Sequence, residues 1–244
     1  MRVLVIPDVH LKPWMFDSAE NILKMDNAEI AVCLMDIPDD WNQQRNIDLY
    51  RATFDRAIRF AATFKDSLWC YGNHDLSYLW QGDESGYSFY AEETVYTKLK
   101  ELRTILEKDG RLKYIQRIDN VLFMHGGLTD TFVKTHTKVS LYNDVDAVLE
   151  DINSLGRRQM WQNYSPIWLR PQYDDYRMYK PRKLLQVVGH TPMEHIERKG
   201  NVISCDVFST YRDGSPIGTQ EYLLIDTKTW EYRGIGEDSY GKEI

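Results

Sequence analysis

Short apolar runs that end in polar, chemically active residues are the feature that most constrains the fold of this chain. Each run has the length and composition of a buried β-strand, and Asp, Asn or His residues follow it directly. Because the carboxyl ends of strands form one edge of an α/β sheet, where functional sites are built, we expect these segments to meet in space. They are Asp8-Val9-His10, Asp36, Gly72-Asn73-His74-Asp75, His125-Gly126-Gly127 and Gly189-His190-Thr191.

Strand-like runs alternate with helical patterns along the chain, which predicts a layered α/β fold. Capping residues and the spacing of apolar residues indicate the helices. Two of the runs flank Asp119-Asn120 and predict a hairpin. The candidate helices span 17–24, 47–64, 94–107 and 145–152, and the candidate strands span 3–6, 30–35, 68–71, 112–118, 121–124, 184–188, 196–198, 202–205, 222–225 and 230–232.

Two segments lack regular periodicity. Residues 79–89 are polar, Gly-containing and aromatic, and we interpret them as a surface insertion. Residues 154–183 are rich in Arg, Tyr, Trp and Pro, and long irregular segments over a site are often functional. We therefore predict a single domain over residues 1–244, with an aromatic and Arg-rich insertion at about 154–183.

Composition restricts the class of protein. With 244 residues, 43% of them apolar, the chain is long enough to bury a sizeable core. The net charge of −7 argues against a general nucleic-acid binder, which normally presents a basic surface. Three cysteines without a Cys-x-x-Cys motif predict reduced thiols and a cytoplasmic protein. No apolar stretch approaches the about 18 residues of a membrane span, so none is expected.

The residue types in the five segments are those of a two-metal site. Two carboxylates, one amide and three imidazoles would meet at the sheet edge, with a fourth imidazole beside them. Such a set suits two divalent metal ions, and a two-metal site is typical of phosphate-ester hydrolysis. Each motif alone has a structural alternative, such as Asp8 as a helix cap or His125 as a core histidine. The coincidence of all five segments favours the metal site, and mixed oxygen and nitrogen ligands favour Mn, Fe or Zn over Ca.

Gly72-Asn73-His74-Asp75 is the most specific of these motifs. Gly72 permits a sharp turn after a strand, and Asn73 offers an amide oxygen to a cation. His74 is then free to act as a proton donor, while Asp75 can hold the imidazole in one tautomer and favour its charged form. The structural alternative is a tight turn with Asn73 in a left-handed conformation.

These motifs resemble those of the calcineurin-like metallophosphoesterases, whose pattern runs Asp-x-His, Gly-Asp-x-x-Asp, Gly-Asn-His-Asp/Glu, His-Gly-Gly and Gly-His. The resemblance extends from Asp8 to His190. It is greatest to the phosphoprotein-phosphatase branch, with its bacterial and phage members, and to symmetrical diadenosine-tetraphosphatases. His-Gly-Gly-Leu at 125–128 and Gly-His-Thr-Pro at 189–192 favour that branch over the Gly-His-x-His nucleases. The resemblance implies a four-layer α/β fold, in which two mixed β-sheets form a sandwich flanked by helices.

The resemblance also implies a role for each motif residue. His74 would be the general acid toward the leaving oxygen, with Asp75 as its partner. The metal ligands would be Asp8 and His10 for the first ion, Asp36 as the bridge, and Asn73, His125 and His190 for the second ion. Asp206 either lies behind the site or merely ends a strand, and we favour the latter.

The chain departs from the family pattern at two positions. Met35 replaces the usual Gly before the bridging Asp, and Asp40 stands where the phosphatases place a phosphate-binding Arg. A carboxylate beside a phosphate is unfavourable by Coulomb repulsion, so another cation is needed. Arg170 is the first candidate because Arg can donate two hydrogen bonds to phosphate oxygens. Arg45 and Lys12 are weaker candidates, and an ordinary surface ion pair is the alternative for Arg170.

Three functions remain open from the sequence. The first is hydrolysis of phosphomonoesters, with phosphoserine and phosphothreonine in proteins as candidate substrates, by attack of water activated between two divalent metal ions. The second is hydrolysis of dinucleoside polyphosphates or cyclic nucleotides, in which aromatic residues of 154–183 would stack a base. The third is a non-catalytic interaction module with the same fold, disfavoured because no ligand type of the motif set is missing.

Overall fold

The structure is a computed structural model that describes residues 1–25, 28–82 and 84–236. The described residues form eleven strands: β1 (Arg2–Ile6), β2 (Ile30–Cys33), β3 (Leu68–Cys70), β4 (Leu112–Lys113), β5 (Ile115–Ile118), β6 (Val121–Met124), β7 (Leu185–Val188), β8 (Glu197–Lys199), β9 (Val202–Ser204), β10 (Tyr222–Asp226) and β11 (Tyr232–Ile235). They also form seven α-helices: α1 (Trp14–Met25), α2 (Ile47–Thr63), α3 (Asn73–Trp80), α4 (Glu92–Glu107), α5 (Asp130–His136), α6 (Val145–Asn153) and α7 (Arg157–Met160).

The strands build two mixed sheets. The first has the order β11-β10-β1-β2-β3-β4 and the second the order β5-β6-β7-β9-β8. Strands β1 to β4 run parallel, as do β6, β7 and β9, whereas β10, β11, β5 and β8 run antiparallel to their neighbours. The parallel strands extend to the edge strand β4 in the first sheet and are central in the second, and the predicted site residues follow their carboxyl ends. The expected fold class, two mixed sheets in an α/β sandwich, is confirmed.

Successive side chains of a strand point to opposite faces of its sheet, so one strand contributes to two cores. Val3 and Val5 of β1 pack between the sheets, whereas Leu4 and Ile6 belong to the core that includes the helices. Because both faces of β1 are covered, it reads as an uninterrupted apolar run. Burial of each such Val or Ile contributes roughly 1.5–3 kcal/mol. The inter-sheet core comprises Val3, Val5, Val32, Leu34, Cys70, Val121, Phe123, Leu185, Val187, Ile203, Cys205, Leu223 and Ile225.

Several local predictions need correction. Residues 112–118 do not form one hairpin strand: β4 pairs with β3 in the first sheet, and β5 pairs with β6 in the second. The chain changes sheets at Tyr114, which no local pattern signals. Helix α1 begins at Trp14 rather than Asp17, which lies inside the helix. Helices α3 and α5 were not predicted.

The segment 154–183 contains α7 and otherwise no helix or strand. It packs against the loop after β6: the amide of Gly126 donates to the carbonyl of Pro166 (2.6 Å), and the amide of Tyr179 donates to that of Leu128 (2.9 Å). The segment therefore supports the strand end that carries His125. Within residues 1–25, 28–82 and 84–236, no helix combines the length and apolarity needed to cross a bilayer.

Candidate active site

Four of the predicted metal ligands meet at His125, which follows β6 and is fully buried. Its Nε2 atom lies 3.0 Å from Oδ2 of Asp36, 2.9 Å from Oδ1 of Asn73 and 3.1 Å from Nδ1 of His190. These residues come from the carboxyl ends of β2, β3, β6 and β7. Segments far apart in sequence are thus adjacent, as the strand-end argument predicts.

The first segment of the chain completes this cluster. Oδ1 of Asp8 accepts a hydrogen bond from the amide of His190 (2.8 Å) and lies 3.6 Å from Nδ1 of His125. Nε2 of His10 lies 3.9 Å from Oδ2 of Asp36, the same oxygen that faces His125. Asp36 therefore lies between the two groups of ligands, where a bridging carboxylate would be needed.

Backbone carbonyls orient two of the imidazoles. In the tautomer with the proton on Nδ1, His125 donates to the carbonyl of Leu34 (3.2 Å) and His10 donates to the carbonyl of Asp39 (2.9 Å). Both rings then present Nε2 to the centre of the cluster. When a histidine binds a metal through one ring nitrogen, a hydrogen bond from its other ring nitrogen commonly fixes the orientation of the ring.

The donor set fits divalent cations. Ligand atoms of Asp36, His125 and His190 lie within 4.8 Å of one another, and so do those of His10, Asp36 and His74. Oδ2 of Asp8 is buried and has no hydrogen-bond partner among the described residues. An unpaired buried carboxylate oxygen is costly, and a cation at the site would satisfy it. Carboxylate, amide and imidazole ligands suit Mn, Fe or Zn.

The backbone reaches this geometry through left-handed conformations. Met35 has φ of 57° and Asp36 has φ of 43°, and His10 and His190 also have positive φ. Non-Gly residues in this region cost about 1–3 kcal/mol each. The amide of His10 donates to the carbonyl of Asp36 (2.8 Å), and this hydrogen bond between the two loops holds the strained segment. The family's Gly is thus replaced by a residue that bears the strain and buries its side chain in the core.

Two glycines leave room for the carboxylates. A Cβ atom at Gly72 would lie well inside van der Waals contact with Oδ1 of Asp36, and one at Gly189 would collide similarly with Oδ2 of Asp8. Because the colliding atoms are the carboxylate oxygens themselves, only Gly permits this approach.

His74 pairs with a carboxylate other than the expected one. Its Nδ1 atom lies 2.9 Å from Oδ2 of Asp39. Oδ1 of the same carboxylate accepts hydrogen bonds from the hydroxyls of Tyr50 (2.9 Å) and Tyr78 (2.6 Å). Burial lowers the pKa of His74, but the charges of Asp36 and Asp39 outweigh it and raise the pKa to about 10. In the absence of bound cations these charges favour the protonated imidazole, which is the form that a general acid requires.

The expected partner, Asp75, has a different role. Its carboxylate accepts hydrogen bonds from the amides of Asp36 (2.9 Å), Ile37 (3.2 Å) and Gly72 (3.1 Å). It thus supports the backbone that carries the bridging carboxylate, which corrects the predicted contact with the His74 imidazole. Burial and the charge of Asp36 raise the pKa of Asp75 to about 7.

Charges in the cluster strongly perturb one another. Burial opposes protonation of His125, yet the carboxylates of Asp36 and Asp8 raise its pKa to about 9. Burial favours protonation of Asp36, but the neighbouring imidazoles of His125 and His74 hold its pKa far below the usual range. Burial and the charge of His125 lower the pKa of His190. Clusters of such perturbed groups in a cleft are typical of active sites.

Comparison with known proteins identifies the family of this chain. The sequence matches the family model for calcineurin-like phosphoesterases over residues 1–215. The chain belongs to this family. It is accordingly a phosphoester-hydrolysing enzyme of a family that depends on two metal ions. The search of curated proteins finds no match.

A solved structure shares the fold of this phosphoesterase. A cold-active protein-tyrosine phosphatase from a psychrophilic Shewanella species is 18% identical, with a TM-score of 0.59, and the match covers 96% of this chain and 80% of that one. A metallophosphoesterase from Sphaerobacter thermophilus is 14% identical, with a TM-score of 0.45 and coverage of 97% and 88%. The first likeness supports the fold and, at this identity, nothing about the substrate.

The active-site pocket of the phosphoesterase has a volume of about 170 Å³. Its lining includes His74 and the predicted metal ligands His10, Asp36, Asn73 and His190. Further polar residues of the wall are Asp39, Asp40, Glu84, Ser85, Arg170, Asp206, Ser209 and Thr210.

The unexpected Asp40 is neutralised within the protein. Oδ2 of Asp40 lies 3.2 Å from the ammonium of Lys12, and Oδ1 accepts hydrogen bonds from the hydroxyl of Thr210 (2.7 Å) and the amide of Trp41 (2.8 Å). Asp40 thus connects its own loop to the loops that carry Lys12 and Thr210. Lys12, a weak candidate for phosphate binding, serves as its counter-ion.

The two arginines proposed for substrate binding differ in location. Arg170 lines the pocket, where its Nη1 donates to the carbonyl of His190 (2.7 Å) and to the hydroxyl of Thr191 (3.3 Å). Arg45 is not among the pocket-lining residues. Its guanidinium donates to the hydroxyl of Tyr90 (2.5 Å) and lies over that ring, at 4.4 Å from the centroid. The geometry therefore supports Arg170 alone.

Sequence reasoning missed or misassigned three acidic residues of the pocket wall. Asp39 is the last Asp of the family pattern Gly-Asp-x-x-Asp, so a signal for it was present. Asp206 was interpreted as a strand end, but it is buried in the pocket wall, where Ser209 donates to it (2.9 Å). Glu84 had no local signal, since residues 79–89 read as a surface insertion.

Proposed function

We propose that this enzyme hydrolyses phosphate monoesters, serine and threonine phosphate in proteins included, with two divalent cations of Mn, Fe or Zn. The contact between His74 and Asp39 carries the proposal, because it places a protonated imidazole beside the ligand cluster. The ligands proposed are Asp8, His10, Asp36, Asn73, His125 and His190. The three cysteines are free and buried, which supports the predicted cytoplasmic location.

The size and charge of the pocket support a small or narrow substrate. Its volume of about 170 Å³ is below the roughly 300–1,000 Å³ of sites that bury drug-sized ligands. Among the described residues that line it, Arg170 is the only Lys or Arg. The pocket therefore suits one phosphate on a small alcohol, or on a side chain whose polypeptide remains outside.

The residues divide the reaction between them. When bound, the two cations would supply Lewis acidity toward the phosphate and a water of lowered pKa. Arg170 orients the phosphate through its guanidinium. His74 donates a proton from Nε2 to the departing oxygen, because Nδ1 is engaged by Asp39. Tyr50 and Tyr78 hold the Asp39 carboxylate in the orientation that keeps this imidazole charged.

The nucleotide hypothesis loses its main support. The aromatic residues of 154–183 that would stack a base are not among the pocket-lining residues. Trp168 instead packs edge-on against the ring of His190, with 5.6 Å between centroids. Trp168 thus supports a ligand loop, whereas the exposed Tyr164 and Tyr173 lie outside the lining of this pocket.

Turnover of matched substrates tests the proposal. With Mn present, we expect p-nitrophenyl phosphate and a phosphoserine peptide to be hydrolysed with a kcat/KM at least tenfold above that for bis-p-nitrophenyl phosphate and diadenosine tetraphosphate. Asp36→Asn and His125→Ala should abolish turnover, whereas Asp48→Asn, an exposed carboxylate of α2, should retain it. Preference for the diester, or full activity of either site variant, would overturn the proposal.

A further inference from the structure

Glu84 lies beside the general acid. Its Oε1 atom is 3.8 Å from Nε2 of His74, and its side chain is only 9% exposed. Nε2 is the atom that faces the departing oxygen, since Asp39 engages Nδ1. The carboxylate of Glu84 is therefore placed at the leaving-group end of the pocket, whose wall it helps to form.

The loop that carries Glu84 is well anchored. Tyr87 stacks on Tyr78, with 4.3 Å between ring centroids, and the amide of Ser88 donates to the hydroxyl of the same Tyr78 (2.8 Å). The hydroxyl of Ser88 donates to the carbonyl of Gln44 (2.5 Å). Ser85 donates to Oε1 of Glu84 (3.0 Å). These contacts hold the loop that carries the carboxylate against Tyr78 and Gln44.

Glu84 differs from Asp40 in having no Lys or Arg counter-ion among the described residues. Asp40 has Lys12 as a counter-ion, whereas the ion-pair partner of Glu84 within the described residues is the catalytic His74. A phosphate dianion bound beside an acidic side chain is repelled by it. A cation carried by the substrate itself would reverse that effect.

We propose that Glu84 forms a subsite for an ammonium group on the leaving alcohol, so that amino-alcohol phosphates are preferred substrates. This deepens the proposed function and rests on it. An ester oxygen within hydrogen-bond distance of Nε2, about 2.8 Å, would put an ammonium two carbons away within reach of Oε1. Charge-assisted contacts of this kind are the strong ones in buried sites.

An isosteric pair of substrates tests the subsite. O-Phosphoethanolamine and n-propyl phosphate differ in an ammonium against a methyl group. We expect the wild-type kcat/KM to favour the first by tenfold or more. In Glu84→Gln the ratio should fall to within about twofold of unity, whereas Glu150→Gln, an exposed carboxylate on α6, should keep the wild-type ratio.

Inhibition separates this proposal from the proposed function. 3-Aminopropylphosphonate and n-butylphosphonate are non-hydrolysable counterparts of the pair, and their Ki values can be measured on whichever chromogenic ester the enzyme hydrolyses. Tenfold tighter inhibition by the ammonium compound, lost in Glu84→Gln, would support the subsite even if diesters were the better substrates. Equal Ki values in the wild type, or equal losses for both compounds in the variant, would overturn it.

Discussion

Nδ1 of His74 lies 2.9 Å from Oδ2 of Asp39, and Oδ1 of the same carboxylate accepts two tyrosine hydroxyls. Oδ1 of Asp39 is thus occupied by the tyrosines, and Oδ2 faces the imidazole of His74. The charge of Asp36 and this contact raise the pKa of His74 to about 10 in the metal-free protein, which favours the protonated form that a leaving oxygen needs.

Asp39→Asn should weaken proton donation while preserving side-chain volume. General acid catalysis typically contributes about 10²–10⁴-fold, so we expect kcat for an alkyl phosphate to fall in that range. The loss for p-nitrophenyl phosphate should be much smaller, because its leaving group needs little protonation. Steady-state kinetics on both substrates checks this, with Asp48→Asn as the control. An equal loss on both substrates would contradict the role of Asp39.

Gly72→Ala should displace the bridging carboxylate, because the added methyl group would occupy the position of Oδ1 of Asp36. We expect metal affinity to fall on the order of 10–100-fold, as for other changes that misplace a ligand. Metal titration followed by elemental analysis measures the change. Gly156→Ala is the matched control, because its methyl group meets nothing within 4 Å. Wild-type affinity in Gly72→Ala would contradict the assignment of Asp36 as a ligand.

Removal of metal should make stability fall as pH rises. Nearby carboxylates raise the pKa of His74 to about 10 and that of His125 to about 9, whereas both titrate near 6.5 in an unfolded chain. Between these values the folded state binds protons that the unfolded state has released. The stabilisation is therefore complete below about pH 6.5 and lost as pH rises through 9 to 10.

Thermal unfolding in a chelator, at pH 7 to 10, measures this dependence. With saturating Mn the slope should be shallower, because a ligating His125 is neutral in the folded state as well. A melting temperature that rises with pH in the chelated protein would show that these two imidazoles do not carry the raised pKa values.

Arg170→Lys should weaken phosphate binding although the charge is kept. The guanidinium of Arg170 donates to the carbonyl of His190 (2.7 Å) and has further N–H groups for a phosphate. The single ammonium of a lysine cannot keep that bond and also donate two parallel hydrogen bonds to phosphate oxygens. We expect KM for p-nitrophenyl phosphate to rise roughly tenfold, the equivalent of one charged hydrogen bond at the low end of its range. Arg45→Lys, on the surface against Tyr90, should leave KM unchanged. The reverse pattern would restore Arg45 as the phosphate ligand.

The tertiary contacts of His74 show where sequence reasoning fails. Asp75 is its neighbour in the chain, but α3 begins at Asn73 and turns the Asp75 carboxylate back to the amides of Gly72 and Asp36. Asp39 comes from the loop after β2, which the sheet places beside α3. Adjacency in sequence was therefore a poor guide to adjacency at the imidazole.

Apolar runs and the residues after them were enough to predict a layered α/β fold and the meeting of the predicted ligand segments, because strand periodicity is local and parallel strands share an edge. The two-sheet sandwich followed from the resemblance to the family. Only the tertiary structure decided that Asp39 serves His74, that Lys12 neutralises Asp40 and that Glu84 enters the pocket. Those contacts join loops whose relative positions depend on the packing of whole sheets and helices, which no short stretch of residues encodes.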